Sequence, residues 1–158
     1  MRALLVFLFA LLALQGCTHY MPPLAGPTAK LRFVTLPGNK TEIHALKEAR
    51  CESAEGASIA LLGGADPAAS NNAREIAVRS DQGFAAQIKA ASGAGPGGAK
   101  WTYAKCSKRF VLQPKEGASY EAQLEQYNGG CTLNIFRIGL DAGIYVRRVA
   151  DAEVTRCR

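Results

Sequence analysis

The sequence predicts a mainly β fold, a two-sheet antiparallel β-sandwich stapled by disulfides. Short runs of alternating apolar and polar residues recur from residue 31 onward. Turn-forming Gly, Pro and Asn residues separate these runs at the regular spacing that sandwiches and barrels show. Four cysteines lie far apart in the same region, an even number that is typical of disulfide-bonded exported domains. An α+β fold is the alternative, because two stretches fit either a helix or a strand.

The first half of this region contains three predicted strands, at residues 31–36, 58–62 and 74–79. The first alternates apolar and polar side chains and stops at Pro37-Gly38, which predicts a half-buried strand followed by a turn. Loops rich in Gly, Ser and Asn are predicted at residues 63–73 and 92–98. Residues 41–51 and 83–91 are the ambiguous stretches, and the apolar spacing leaves both helix and strand open.

The second half contains four predicted strands and a candidate edge strand, at residues 101–112, 118–127, 131–138, 143–149 and 153–157. Asn128-Gly129-Gly130 lies between two alternating runs and is a strong signal for a tight hairpin turn. Short strands in succession with turns between them indicate a sandwich more than any other β architecture.

The chain begins with a short hydrophobic leader. Arg2 precedes an uninterrupted apolar run of twelve residues, from Ala3 to Leu14. A helix of that length rises only about 18 Å, too little to cross a hydrocarbon layer of roughly 30 Å. The leader is therefore predicted to be a secretory signal peptide and not a membrane-spanning anchor.

The leader ends in Leu14-Gln15-Gly16-Cys17, which resembles the lipobox of bacterial lipoproteins. The resemblance implies that residues 1–16 are cleaved and that Cys17 carries the lipid as the mature N-terminus. Thr18, in place of the aspartate that marks inner-membrane retention in that family, implies the periplasmic face of the outer membrane in a Gram-negative host. Residues 17–30 contain three prolines and are expected to form a semi-rigid tether to a single domain of residues 31–158.

The four remaining cysteines are Cys51, Cys106, Cys131 and Cys157. They allow three pairings, and the sequence alone does not choose among them. One geometric argument favours Cys51–Cys106 with Cys131–Cys157. If Cys106 and Cys131 flank the same middle strand, they are about 9.5 Å apart, beyond the limit of roughly 7 Å for a bridge.

A second resemblance covers about thirty residues of the C-terminal half. The stretches FVLQPKEGASYEAQL and GGCTLNIF are similar to the core of small, mostly uncharacterised proteobacterial lipoproteins with an immunoglobulin-like or prealbumin-like sandwich. The matching residues are Phe110, Pro114, Gly117, Tyr120 and Cys131. The resemblance implies structural roles for Pro114 and Gly117 in a turn. It also implies a Tyr120 hydroxyl bonded back to the backbone of that turn, as in a tyrosine corner.

The charge balance points to anionic neighbours. The chain has a formal net charge of +6, and in an exported protein this favours lipid headgroups, cell-wall polymers or an acidic protein over nucleic acid. Arginines cluster near the C-terminus and form the candidate partner patch: Arg147, Arg148, Arg156 and Arg158. Strand alternation places Arg147 and Arg148 on opposite faces, so only part of this set can share a surface.

No catalytic motif is present. His44 is the only histidine after residue 19, and it is not part of a His-Glu-x-x-His zinc-binding motif. The sequence also contains no Gly-x-Ser-x-Gly motif, which would mark a nucleophilic serine. We therefore expect no enzymatic activity, no metal and no cofactor. The leading hypothesis is a binding or accessory module for an envelope protein partner. The alternative is an inhibitor of a lytic or proteolytic enzyme, acting through the loop at residues 92–98. A weak hydrolase using His44 and Asp151 is the third hypothesis.

Overall fold

The computed structural model describes residues 19–36, 39–63, 72–92, 102–127 and 130–157, and these residues contain ten strands. The strands are β1 (Thr28–Val34), β2 (Asn39–Leu46), β3 (Glu55–Leu62), β4 (Ala73–Arg79), β5 (Phe84–Ser92), β6 (Thr102–Leu112), β7 (Ser119–Tyr127), β8 (Gly130–Asp141), β9 (Ile144–Val149) and β10 (Val154–Arg156). A single 3₁₀ turn, Asp151–Glu153, precedes β10.

The strands form two five-stranded sheets, which confirms the predicted sandwich. Sheet 1 has the order β4-β1-β7-β8-β9 and sheet 2 the order β10-β6-β5-β2-β3. Neighbouring strands are antiparallel except for β1 and β7, which run parallel. The α+β alternative is wrong, because residues 41–46 and 84–91 of the two ambiguous stretches are strands and residues 47–51 form bends and a turn. β2 and β5 lie side by side in sheet 2 with Ile43 opposite Ile88. Hydrogen bonds to neighbouring strands satisfy the backbone N–H and C=O groups that a helix would have paired within itself.

The core lies between the sheets and is made by alternate side chains of the strands. β1 shows the pattern most clearly, since Ala29, Leu31 and Phe33 are buried while Lys30 and Arg32 are exposed. The largest fully buried side chains come from both sheets: Tyr120, Phe33, Phe110, Leu31, Ile43, Leu62, Ile88, Leu112, Ile135 and Val78.

The hairpin predicted from Asn128-Gly129 is present. Tyr127 of β7 pairs with Gly130 of β8, so two residues connect the strands. The preceding turn has the contact that the second resemblance implied, since the Lys115 N–H donates to the Tyr120 hydroxyl oxygen at 3.0 Å. Gly117 in this turn has φ +69, a backbone conformation that side chains other than glycine rarely adopt.

The disulfide pairing favoured by the sequence is wrong. The structure has Cys51–Cys157 and Cys106–Cys131, with Cα atoms 5.4 Å and 5.8 Å apart. Cys106 lies on β6 of sheet 2 and Cys131 on β8 of sheet 1, and the two strands meet across the core. The assumption that both cysteines flank one strand of one sheet therefore fails. The Cys106–Cys131 bridge joins the two sheets instead.

The N-terminal segment packs against the side of the sandwich. The Tyr20 N–H donates to the Ser58 carbonyl of β3 at 2.9 Å, and the Tyr20 hydroxyl donates to the Ala77 carbonyl of β4 at 2.8 Å. β3 and β4 are edge strands of different sheets, so Tyr20 closes the gap between them. β1 already begins at Thr28. The described part of the tether predicted over residues 17–30 is therefore in contact with the domain and does not extend away from it.

Candidate interaction surface

The β8–β9 hairpin forms the edge of sheet 1 opposite to the N-terminal segment. β9 pairs with β8 from Phe136 opposite Val149 to Asp141 opposite Ile144. Its other side has no strand partner in the part of the chain that the structure describes. Half of the backbone N–H and C=O groups of such a strand point away from the sheet and are available for pairing with another chain.

Exposed apolar side chains concentrate on this hairpin. Seven large apolar side chains are exposed among the described residues, and four of them belong to the hairpin: Leu140, Ile144, Tyr145 and Val149. Leu140 and Tyr145 lie opposite each other in the register and are 71% and 73% exposed. Clustered exposed apolar side chains are uncommon on monomeric proteins and mark interaction sites.

Local geometry shapes the tip of the hairpin. Ala142 and Gly143 connect the strands, and both have positive φ values, 50 and 82. Two central residues with positive φ are the hallmark of the type I′ turn, whose twist matches that of paired strands. Gly143 adopts this conformation without cost, whereas Ala142 is strained in it. The strain at Ala142 is tolerated because pairing on both sides fixes the turn.

The arginines of the candidate partner patch do not form one free basic surface. Arg147 packs over the Phe136 ring, 4.3 Å from its centroid, and pairs with the Glu121 carboxylate of β7. Arg148 pairs with Asp141 at 2.7 Å on the other face of the hairpin. These ion pairs lower the net positive charge of the hairpin and leave its apolar side chains as its main exposed feature.

The other arginines of the patch lie elsewhere. Arg156 belongs to β10 of sheet 2 and pairs with Asp151 at 2.6 Å. Arg158 lies outside the described residues.

The residues named for hydrolysis are not brought together. His44 is half-buried on β2, opposite Gln87 of β5, and its imidazole has no hydrogen-bond partner among the described residues. Asp151 lies at the start of the 3₁₀ turn and is bonded to Arg156. The loop named for enzyme inhibition, residues 92–98, lies outside the described residues except for Ser92, the last residue of β5.

Within the described ranges, no group of three or more His, Cys, Asp or Glu side chains is placed to hold a metal ion. No helix in those ranges is long and apolar enough to cross a membrane. The predicted leader and Cys17 lie outside the described residues.

The fold and this surface define a class, a disulfide-bonded β-sandwich with an exposed apolar hairpin at a sheet edge. Comparison with protein-family models and with curated proteins found no match to this chain.

Sequence reasoning missed the apolar hairpin surface. The run Ile144-Tyr145-Val146 places apolar side chains on both faces of the strand, a pattern that normally indicates a strand buried on both sides. In the structure this strand is an edge.

Proposed function

We propose that this protein is a lipid-anchored envelope protein whose sandwich domain acts as a non-enzymatic binding module for another envelope protein. This proposal rests mainly on the exposed apolar face of the β8–β9 hairpin, which lies beside a strand edge unpaired among the described residues. An edge strand recognises a partner strand through main-chain hydrogen bonds, and its side chains supply specificity. Tyr145 provides an aromatic anchor of the kind that dominates binding energy in protein interfaces, and Leu140 and Val149 add exposed apolar area beside it.

The position of the hairpin suits a tethered binding module. Tyr20 lies against the β3 and β4 edges, whereas β9 lies at the far edge of sheet 1. Four strand spacings separate β4 from β9, about 19 Å. Cys17 is three residues before Tyr20 in the sequence. A lipid on Cys17 would hold one side of the domain at the membrane and leave the hairpin side open to a partner.

Replacing Cys17 with serine tests the anchor. We expect the Cys17→Ser protein to move almost entirely from the membrane fraction to the soluble fraction, because serine cannot form the thioether that carries the lipid. The chains attached to one cysteine provide the membrane affinity, at about 0.8 kcal/mol for each buried CH₂. A Thr18→Ser variant is the matched control and should stay in the membrane fraction. Retention in membranes of a Cys17→Ser protein from which residues 1–16 have been removed would show that the anchor proposal is wrong.

Photocrosslinking in cells tests the binding surface. We place a photoreactive phenylalanine at Val149 and expect one dominant crosslinked protein. The double variant Leu140→Ser/Tyr145→Ser should reduce the crosslink at least tenfold, since truncating the central anchor residue of an interface costs about 2 kcal/mol or more. Both side chains are largely exposed, so the fold should be unaffected.

Leu61→Ser provides the control for this experiment. Leu61 is also a large exposed side chain, 56% accessible, but it lies on β3 of the other sheet. The crosslink should survive this change. Equal loss in Leu61→Ser and in the hairpin variant, or no specific crosslink at Val149, would contradict the proposed surface.

A further inference from the structure

Two adjoining cavities lie on the side of the sandwich where β10 ends. Their volumes are about 330 Å³ and 260 Å³. Both are lined by Lys108, Arg109 and Cys157. Arg156 contributes to the larger cavity and Ser107 to the smaller one. Among the described residues that line the two cavities, none is a carboxylate.

The short length of β10 explains why two neighbouring cations reach this place. β10 pairs with β6 only from Phe110 to Leu112, and the last contact beyond it is the Cys157 N–H donated to the Arg109 carbonyl at 3.0 Å. Before that point β6 is the edge of sheet 2. Lys108 and Arg109 point to opposite faces of the strand, but at an open edge both side chains can line the same space.

The charges at this site are largely uncompensated. The Arg109 guanidinium donates to two main-chain carbonyls, those of Cys51 at 3.2 Å and Ser53 at 3.3 Å. Neither Arg109 nor Lys108 has a carboxylate within 4.0 Å in the described part of the chain. Arg156, in contrast, is paired with Asp151. The site therefore carries about two unmatched positive charges.

Nearby acids do not neutralise it. The pKa of Glu55 is lowered, first by its hydrogen bond to Lys89 and only to a smaller extent by the charge of Arg109. Glu55 is thus already occupied by Lys89, at 2.5 Å. Ser107 adds a hydroxyl donor to the smaller cavity. Its Oγ accepts a hydrogen bond from the Gln87 amide at 2.7 Å, so the hydroxyl proton remains available for donation to a ligand.

We propose that this cationic site binds a phosphate group. A phosphate monoester carries about −1.5 to −2 charges at neutral pH and several acceptor oxygens. The two unmatched cations balance the charge of a phosphate ligand, whereas a carboxylate ligand would bring only one negative charge. The arginine fork and the lysine point charge are the side chains that proteins use for phosphate. This site is separate from the hairpin surface, and the proposal does not depend on the proposed function.

Titration with inorganic phosphate tests the site. The mature chain, residues 17–158 with Cys17→Ser, is used, so that neither the apolar leader nor a lipid on Cys17 can mediate binding to vesicles. We expect saturable phosphate binding at about 0.15 M salt, and at least tenfold weaker binding in Lys108→Met, which loses one charge-assisted hydrogen bond. Lys47→Met removes the same charge from an exposed position after β2 and should bind as the parent does.

Vesicles distinguish the source of the phosphate. Binding to vesicles that contain phosphatidylglycerol, absent with pure phosphatidylcholine and lost in Lys108→Met, would identify a lipid headgroup. Binding of inorganic phosphate without vesicle binding would identify a free phosphate compound. The proposal is overturned if neither probe binds, or if Lys108→Met and Lys47→Met lose affinity equally. Lys108→Gln serves as a second variant if Lys108→Met does not fold.

Discussion

Replacing Cys51 and Cys157 together with serine should lower the free energy of unfolding by about 4 kcal/mol. This bridge joins residues 106 positions apart. In the loop-entropy model, closing a loop of about 100 residues lowers the conformational entropy of the unfolded chain and so raises its free energy by about 4.7 kcal/mol. The sandwich should remain folded, because neither cysteine packs in the main core. Both pack against a small outer cluster formed by Leu46, Ala85 and Val111. Urea denaturation measures the change.

The second bridge provides the comparison for this prediction. Cys106 and Cys131 are 25 residues apart, so the same model gives a smaller contribution, about 3.5 kcal/mol. The loop of residues 47–54 should lose hydrogen-exchange protection in the Cys51/Cys157 variant only. Thiol labelling of the unreduced wild-type domain should detect no free cysteine. A free thiol, or a loss below about 1 kcal/mol for the longer bridge, would contradict the pairing in the structure.

The sequence predicted most of the strands because burial imposes a period of two. Where one face of a strand meets the core, as in the run Leu31 to Val34, the alternation is visible without a structure. The contact between Tyr120 and the turn before it was implied by the family resemblance, and it depends only on that local turn. The alternation was less informative at residues 41–51, since apolar side chains there fit two periodicities. Pairing with β3, the next strand along the chain, and with β5, which is about forty residues away, determined a strand over residues 39–46.

The site residues were harder to predict because they depend on which strands become edges. Lys108 and Arg109 line cavities only because β10 is three residues long. Arg147 does not contribute a free positive charge to a basic patch, because Glu121 of the neighbouring strand β7 pairs with it. Disulfide pairing failed for the same reason, since Cys106 and Cys131 meet only when β6 and β8 enter opposite sheets. Each of these contacts joins strands through sheet topology, which local patterns do not encode.

A buried carboxylate should make the protein sensitive to acid. Glu153 is only 9% exposed, and one oxygen of its carboxylate lies 2.8 Å from the Lys115 ammonium and 3.3 Å from the Arg137 guanidinium. Burial raises the pKa of Glu153, but the hydrogen bonds to Lys115 and Tyr120 and the charges of Lys115 and Arg137 outweigh it. The net effect is a pKa below the ordinary glutamate value. The charged form is therefore favoured by folding.

The sign of the pH dependence follows from that lowered pKa. The stabilisation is complete above the unfolded-state pKa of about 4.3. It is lost as the pH falls from there through the lower folded-state pKa, since protonation removes the interaction with both cations. Glu153→Gln should lower the free energy of unfolding by about 2 kcal/mol at pH 7 and flatten the stability profile below the unfolded-state pKa of about 4.3. Urea denaturation at several pH values measures both effects.

Glu75→Gln separates the buried network from ordinary surface charge. Glu75 pairs with Lys30 at 3.8 Å, and the two side chains are 55% and 67% exposed. Exposed pairs of this kind contribute roughly 0–1 kcal/mol because water and salt screen them. Glu75→Gln should therefore leave both the stability and its pH profile close to wild type. If the two variants behaved alike, burial of Glu153 would not be the source of the acid sensitivity. A difference confined to Glu153→Gln would mean that this carboxylate holds the turn after β6, strand β8 and the C-terminal segment together.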